Sequence, residues 1–426
     1  MVEMRIFRNE KDRIVTGYQK RNLSDAQLMK VDEILTLDQY RKETQSSLDN
    51  QLALINKLSK EVGEYMKKGD QSGGNKIREE VLRLKEEAKI SESSLATIEA
   101  KIEDILLQLP NVPHETVPFG KTAEENEVFR YGSIAAKDAE ESSLPHWELA
   151  KKYQLFDMEL GVKITGSGFI LYRGQGARLQ RALINFFLDE ANRAGYEEIQ
   201  TPLMVNEASG RATGQIPDKE GQMYYVEKDD LYLIPTAEVP VTNIYRDVLL
   251  REDQLPIKMC GYTPCFRREA GSYGAHVKGL NRVHQFDKVE IVRIEHPENS
   301  YKALHGMLEH VAMLLEKLEL PYRILRLCGG DMGFASALTY DFEVYSNAQK
   351  RWLEVSSVSN FETFQSNRMK LRFKNENGQS VLAHTLNGSA LALARIVAGL
   401  LENHQTEDGI HIPKALQAYF GAEKIQ

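Results

Sequence analysis

Residues 77–109 constrain this chain more than any other stretch. Apolar or small side chains recur there at Ile77, Val81, Leu84, Ala88, Ser91, Leu95, Ile98, Ile102, Ile105 and Leu109, in alternating steps of four and three. That spacing is a heptad seam, and a helix that carries one buries it along another helix. At about 1.5 Å per residue the helix extends roughly 50 Å. A second, less regular stripe runs upstream through Leu48, Leu52, Ile55, Leu58, Val62 and Met66. Between the two, residues 67–75 (KKGDQSGGN) have the composition of a turn. Two long helices folded back on each other as an antiparallel coiled-coil arm, projecting from a globular body, are therefore expected. Such an arm serves as a spacer or dimerisation device. With Lys57, Lys60, Lys67, Lys68, Lys76, Arg78, Lys85 and Lys89 it is also equipped to grip an elongated polyanion.

Pro110 and Pro113 stop the second helix, since proline has no amide donor and restricts its predecessor. This places a domain boundary there, with residues 1–112 as one domain and residues 113–426 as the other. The first thirty residues are locally basic, through Arg5, Arg8, Lys11, Arg13, Lys20 and Arg21, although the formal net charge of the whole chain is -8. An acidic chain is not a nucleic-acid binder as a whole, so any such contact must use a local basic face. The N-terminus is charged and no run of eighteen apolar residues exists, which makes the cytoplasm the expected compartment. Cys260, Cys265 and Cys328 are too few for a disulfide framework and fit no zinc spacing.

Beyond the boundary a helical stripe over residues 177–194 ends at Gly195, and residues 196–201 read as a strand stopped by Pro202. Further strands are expected at residues 231–234, 288–294, 340–345 and 352–356, and helices at 300–318 and 389–403. Short connections between these strands imply a largely antiparallel sheet with helices around it, an α+β domain. Gly174-Gln175-Gly176 is too short for a dinucleotide fingerprint, and no P-loop or hydrolytic triad pattern is present.

Residues 265–290 concentrate charge and glycine. Phe266-Arg267-Arg268-Glu269 and Arg282-Val283-His284-Gln285-Phe286 alternate as strands do, and between them lies a loop with Gly271, Ser272, Tyr273, Gly274, His276, Lys278 and Gly279. Alternation groups Arg267 with Glu269, and Arg282 with His284 and Phe286. A guanidinium suits phosphate oxygens, a ring suits a base, and a carboxylate accepts amine donors, so this surface is fitted to a nucleotide. Taken alone it is equally an ordinary solvated hairpin.

Four further stretches carry polar groups. Pro235-Thr236-Ala237-Glu238 places a hydroxyl and a carboxylate after an apolar strand, where a helix N-cap is the plainer reading. Glu354-Val355-Ser356-Ser357 offers hard oxygen donors at a strand end, suited to magnesium, or simply forms a polar edge. Residues 387–395 (NGSALALAR) read as a helix start of small residues with Arg395 beside it. Asp341-Phe342-Glu343 carries the weakest signal.

In order along the chain, the helix and strand before Pro202, the FRRE and RVHQF pair, and NGSALALAR with its arginine resemble the three motifs of class II aminoacyl-tRNA synthetases. With the arm, Thr236-Ala237-Glu238 and Glu354-Val355-Ser356-Ser357, the whole chain resembles seryl-tRNA synthetases of the bacterial type. The resemblance implies activation of L-serine by ATP and transfer to the 3′ end of tRNA(Ser), with selenocysteine tRNA as a further candidate acceptor. It implies catalytic roles for Arg267, Glu354 and Arg395. ATP would be held by Arg267, Arg268, Glu269, Arg282, Val283, Phe286, Glu354, Val355, Ser356, Ser357 and Arg395, with Phe286 under adenine and Arg395 at the γ-phosphate. Serine would be held by Thr236, Ala237, Glu238, Arg267, Glu290 and Ser389, and Mg2+ by Glu354 and Ser357. A homodimer built on the helix and strand before Pro202 is also implied. Arg268, Lys278, Val358 and Ala394 depart from the residues most common in such motifs. The alternatives are an inactive paralogue acting as an RNA-binding or interaction module, and a ligase that charges a carrier protein.

Overall fold

The computed structural model describes residues 1–138, 143–218, 221–269 and 278–426. By internal contacts they form two compact units. One comprises Val2–Gln19 and Leu23–Pro110; the other comprises Met1, Lys20–Asn22 and Asn111–Gln426.

The first unit is dominated by two long helices, Asp25–Lys67 and Gln71–Gln108. Ser24 starts the first as a capping box, its backbone N–H donating to Gln27 Oε1 at 2.9 Å. The turn is tighter than composition predicts. Only Lys68, Gly69 and Asp70 lie outside the helices, Gly69 takes φ +79°, and the Asp70 carboxylate accepts the Gly73 N–H to start the second helix. Residues 71–75 are thus helical because Asp70 caps them, despite two glycines. Leu48, Ile55, Val81, Leu84 and Ala88 form the seam, with Ser91 donating to Gln51 at 3.0 Å across it. Leu52 and Met66, expected in the first stripe, are 40% and 52% exposed, as its irregular period foreshadows. Asp38, 2% exposed, accepts from Arg8 at 2.6 and 2.7 Å and from Arg41 at 3.2 Å, which offsets the cost of burying its charge. These contacts hold the Asp38 carboxyl well below its usual range.

The second unit is built on an eight-stranded sheet in the order Glu127–Tyr131, Tyr322–Arg326, Leu338–Ser346, Arg351–Asn360, His384–Ala392, Gln285–Glu295, Ile257–Phe266, Glu197–Glu198. Every neighbouring pair is antiparallel except the last, where Glu197–Glu198 runs parallel to Ile257–Phe266. The helices Gly174–Arg193, Ser300–Lys317 and Leu393–Asn403 contribute to one core with the sheet, through Leu183, Phe187, Leu308, Val311, Ile396 and Leu400. The first of these helices begins three residues earlier than its stripe suggests. Gly176 allows this, because a Cβ there would lie 1.9 Å from the Leu155 carbonyl oxygen. The helix expected from Ser389 is a correction: His384–Ala392 is a central strand and the helix starts at Leu393. Small side chains permitted either reading, and sheet neighbours on both sides of this buried strand decide it. Among the described residues, no helix is long and apolar enough to cross a membrane.

Candidate active site

The inner strands of the sheet and the segments crossing their ends enclose a cavity of about 700 Å³. Of the residues expected to bind ligands, all but Arg268 and Ala237 line it. Arg268 instead lies over the Tyr224 ring, 5.4 Å from its centroid, and Ala237 is fully buried in the core beneath. His284, grouped with Arg282 and Phe286 by alternation, turns to Tyr224 and bonds its hydroxyl at 2.7 Å. The glycine-rich loop at residues 270–277 lies outside the described residues.

At one end the groups suit a nucleotide. The strand Ile257–Phe266 stops before Arg267, so Arg267 and Glu269 sit on the exit from the strand rather than within it. There Arg267 Nε donates to the Pro235 carbonyl at 3.2 Å and its guanidinium lies 5.3 Å from the Phe286 ring centroid. Glu269, at φ +48°, pairs with Arg282. Arg395 leaves the first turn of its helix and donates to the backbone carbonyls of Asn281 at 3.0 Å and Glu354 at 2.7 Å. Three guanidiniums, an aromatic ring and a carboxylate thus line one chamber.

At the other end lies a buried polar cluster. Cross-strand register sets Glu290 opposite both Ser389 and Gly261. Lys288 Nζ reaches Glu290 at 2.6 Å and donates to Thr236 Oγ1 at 2.8 Å, while Thr236 and Ser389 donate to Glu290, each at 3.4 Å. Glu238 accepts from Gln365 Nε2 at 2.6 Å. Gln365 is itself fixed, accepting from Thr385 at 2.7 Å and donating to the Thr213 carbonyl at 3.2 Å. Burial, and then the neighbouring Glu290 charge, push the Glu238 carboxyl up to about 7. A ligand ammonium would meet two carboxylates against one lysine, and a ligand hydroxyl would meet several partners.

Beside the nucleotide end, Asp341 faces Ser357 across the sheet and Glu343 faces Glu354. Burial and the Glu354 charge raise the Asp341 carboxyl well above its usual range, and its Oδ1 has no hydrogen-bond partner. Among the described residues no three His, Cys, Asp or Glu side chains form a metal cage.

Sequence reasoning passed over Lys288, Gln365 and Asn281. Lys288 was findable, since Phe286, Lys288 and Glu290 recur at the period of two that puts side chains on one face. Gln365 had no signal: it lies on the short helix Phe364–Met369, and folding alone brings it to Glu238.

Comparison with known proteins gives a consistent result. Residues 1–113 match the model of the seryl-tRNA synthetase N-terminal domain, and residues 224–404 match that of the class II tRNA synthetase core domain (G, H, P, S and T). A serine–tRNA ligase of Salinibacter ruber is 48% identical, with 100% of this chain and 99% of the relative covered. One from Chlorobaculum parvum is 44% identical, with 100% of both covered. Among solved structures, the seryl-tRNA synthetase of Pyrococcus horikoshii complexed with ATP superposes with a TM-score of 0.94 at 31% identity, covering 100% of this chain and 99% of the other.

The buried Glu238 carboxyl gives a stability prediction. Its folded-state value lies above the ordinary carboxylate value of 4.5, so the stability tied to its neutral form is present at pH 4.5 and lost as pH rises through 7. Glu238→Gln is expected to exceed the parent by about 1–3 kcal/mol at pH 8, the gap closing toward pH 5. Urea unfolding across that pH range measures it; a constant gap would contradict the assignment.

Proposed function

The chain belongs to the seryl-tRNA synthetases, and we propose that it is a serine–tRNA ligase, activating L-serine with ATP and passing the seryl group to the 3′ end of tRNA(Ser). One observation carries the reading: a single cavity joins an arginine-lined aromatic chamber to a buried cluster of two carboxylates, a lysine and hydroxyls. The inactive-paralogue alternative loses its support, because the phosphate-directed arginines and the buried carboxylates are all present and face one space.

In the first step the serine carboxylate attacks the α-phosphorus of ATP and pyrophosphate leaves. The step brings two anions together, so it needs positioning and neutralisation more than acid or base help. Arg267 is placed to bridge the serine carboxylate and the α-phosphate, Phe286 to carry adenine, Glu269 to accept its amine, and Arg395 to hold the γ-phosphate. Arg282, Val283, Val355 and Ser356 shape the chamber around the nucleotide. Thr236, Glu238, Glu290 and Ser389 would take the serine ammonium and hydroxyl. Alanine lacks the hydroxyl and would leave buried groups unpaired, at about 1–3 kcal/mol each. Lys288 pairs with Glu290 next to Glu238, so that the two neighbouring carboxylates share one compensating cation.

Glu354 and Ser357 would hold Mg2+. Their carboxylate and hydroxyl oxygens fit a hard cation, and the buried Asp341 Oδ1 beside them lacks a partner. With so few protein ligands the ion would take the rest from phosphate and water, and when bound it would neutralise phosphate charge. The pairing of arm and catalytic unit supports residues 1–112 as the tRNA-gripping domain and 113–426 as the catalytic one. The helix Gly174–Arg193 and strand Glu197–Glu198, with Leu203 and Met204 exposed beyond them, support a homodimer.

Three outcomes follow. Purified protein should exchange pyrophosphate into ATP only when serine is present, and Arg267→Ala should abolish that exchange; absence of exchange in the parent protein would sink the function. The arm is tested by excision of residues 46–93 and not by deletion of residues 1–110. Arg21 is bound into the catalytic unit through the carbonyls of Asn111, Met332 and Gly333 and has to be kept. Excision should spare exchange and reduce tRNA charging at least about a hundredfold, as expected when several phosphate contacts are lost. Sedimentation equilibrium should give twice the chain mass, and a monomer at micromolar concentration would rule out the dimer.

A further inference from the structure

A buried ionisable pair that this chemistry does not use lies against the nucleotide end of the cavity. His146, at the start of the helix His146–Tyr153, and Glu402, near the end of Leu393–Asn403, are both fully buried. His146 Nε2 accepts the backbone N–H of Leu280 at 2.8 Å, so the ring proton sits on Nδ1, which donates to Glu402 Oε1 at 2.7 Å. Glu402 also accepts the backbone N–H of His146 at 2.9 Å, Gln349 Nε2 at 2.9 Å, and the Ser346 hydroxyl. Gln349 in turn accepts from Asn281 Nδ2 at 2.9 Å.

The pattern converges on two parts of the cavity wall. Leu280 and Asn281 line the cavity, and the Asn281 carbonyl receives Arg395 Nε at 3.0 Å. Arg395 and Glu402 share one helix, so that helix is tied to the Leu280–Asn281 backbone at both ends: directly through Arg395, and through Glu402 by way of the imidazole. The fit is close. Gly279 adopts φ +68°, and a Cβ there would lie 2.2 Å from His146 Nε2, so only glycine lets the backbone press against the ring. A merely structural buried pair would satisfy itself locally, whereas this one holds an N–H and an amide of residues that face the nucleotide chamber.

We infer that His146 and Glu402 are positioning residues for ATP: they hold the Leu280–Asn281 backbone against the helix bearing Arg395, and leave the serine pocket untouched. The inference rests on the proposed synthetase reading. Its test is serine-dependent pyrophosphate exchange together with equilibrium ATP binding on the full chain. His146→Asn keeps a donor near Nδ1 and loses the acceptor, whereas His146→Gln places an amide oxygen near Nε2. His146→Asn should raise KM and Kd for ATP about tenfold with KM for serine within about twofold, and His146→Gln should stay within about threefold of the parent for ATP. Should His146→Asn fail to fold, Gln349→Ala decides the matter, with an expected rise of about threefold in KM for ATP at unchanged Tm. Equal shifts for both substrates, no shift for ATP, or a fall in kcat alone would overturn the inference. A parent protein that shows no serine-dependent exchange would instead remove the reading beneath it.

Discussion

Backbone hydrogen bonds pair Gln285–Glu295 with Ile257–Phe266 in unbroken antiparallel register and with His384–Ala392 in a register that shifts once, between Lys288 and Glu290, and the chemistry of the cavity hangs on that register. It places Phe286, Lys288 and Glu290 on one face in a row from the arginine-lined end of the cavity to the buried polar end, and it places Ser389 beside Glu290. A slip of one residue would turn the row to the opposite face. The strands are central, so each amide and carbonyl has a neighbour to satisfy it, and a slip would strand them. The pocket therefore inherits its precision from the ladder rather than from the loops that close it. Gly261 contributes here, since a Cβ at that position would come within 2.9 Å of the Ile199 carbonyl oxygen.

That rigidity matters because the site is electrostatically unfavourable without its ligand. Glu238 and Glu290 are buried as near neighbours, whereas at the nucleotide end the half-buried Asp341 feels the charge of Glu354, whose side chain is half exposed. Two buried carboxylates side by side are costly in the free protein, and on the proposed reading the ammonium of serine would offset the first pair. Lys288 and Gln365 hold the first pair in place until then. On that reading the stability given up there would return as binding free energy for groups of the right charge, and the pocket would distinguish serine from apolar amino acids by it.

Much of this was legible in the residues. The arm announced itself by period, since a heptad stripe of that length has one way to bury itself. The nucleotide end was legible because charge and aromatic rings occur at a strand's period, as Arg282 and Phe286 do. Other parts were ambiguous for definite reasons. The small residues around Ser389 suit a helix start or a crowded central strand equally, and only neighbours on both sides resolve the choice. Arg268 and His284 share the spacing of true cavity residues, but Tyr224 draws both away, and no local pattern encodes that ring's position. Residues 71–75 looked like turn because of their glycines, and one capping carboxylate made them helix.

By itself the sequence determined what is local or periodic: the helical hairpin, the proline boundary, and the order of the three motif segments with their arginines and carboxylates. Period, capping and proline geometry act within a few residues, so they can be read without a fold. The tertiary structure alone decided which distant groups share a space. It joined Gln365 to Glu238 and His146 to Leu280, and it put Glu290 beside Ser389, ninety-nine positions away. Those pairings depend on strand register and on how helices pack against the sheet, and both are set by the burial of the whole core rather than by any short stretch of chain.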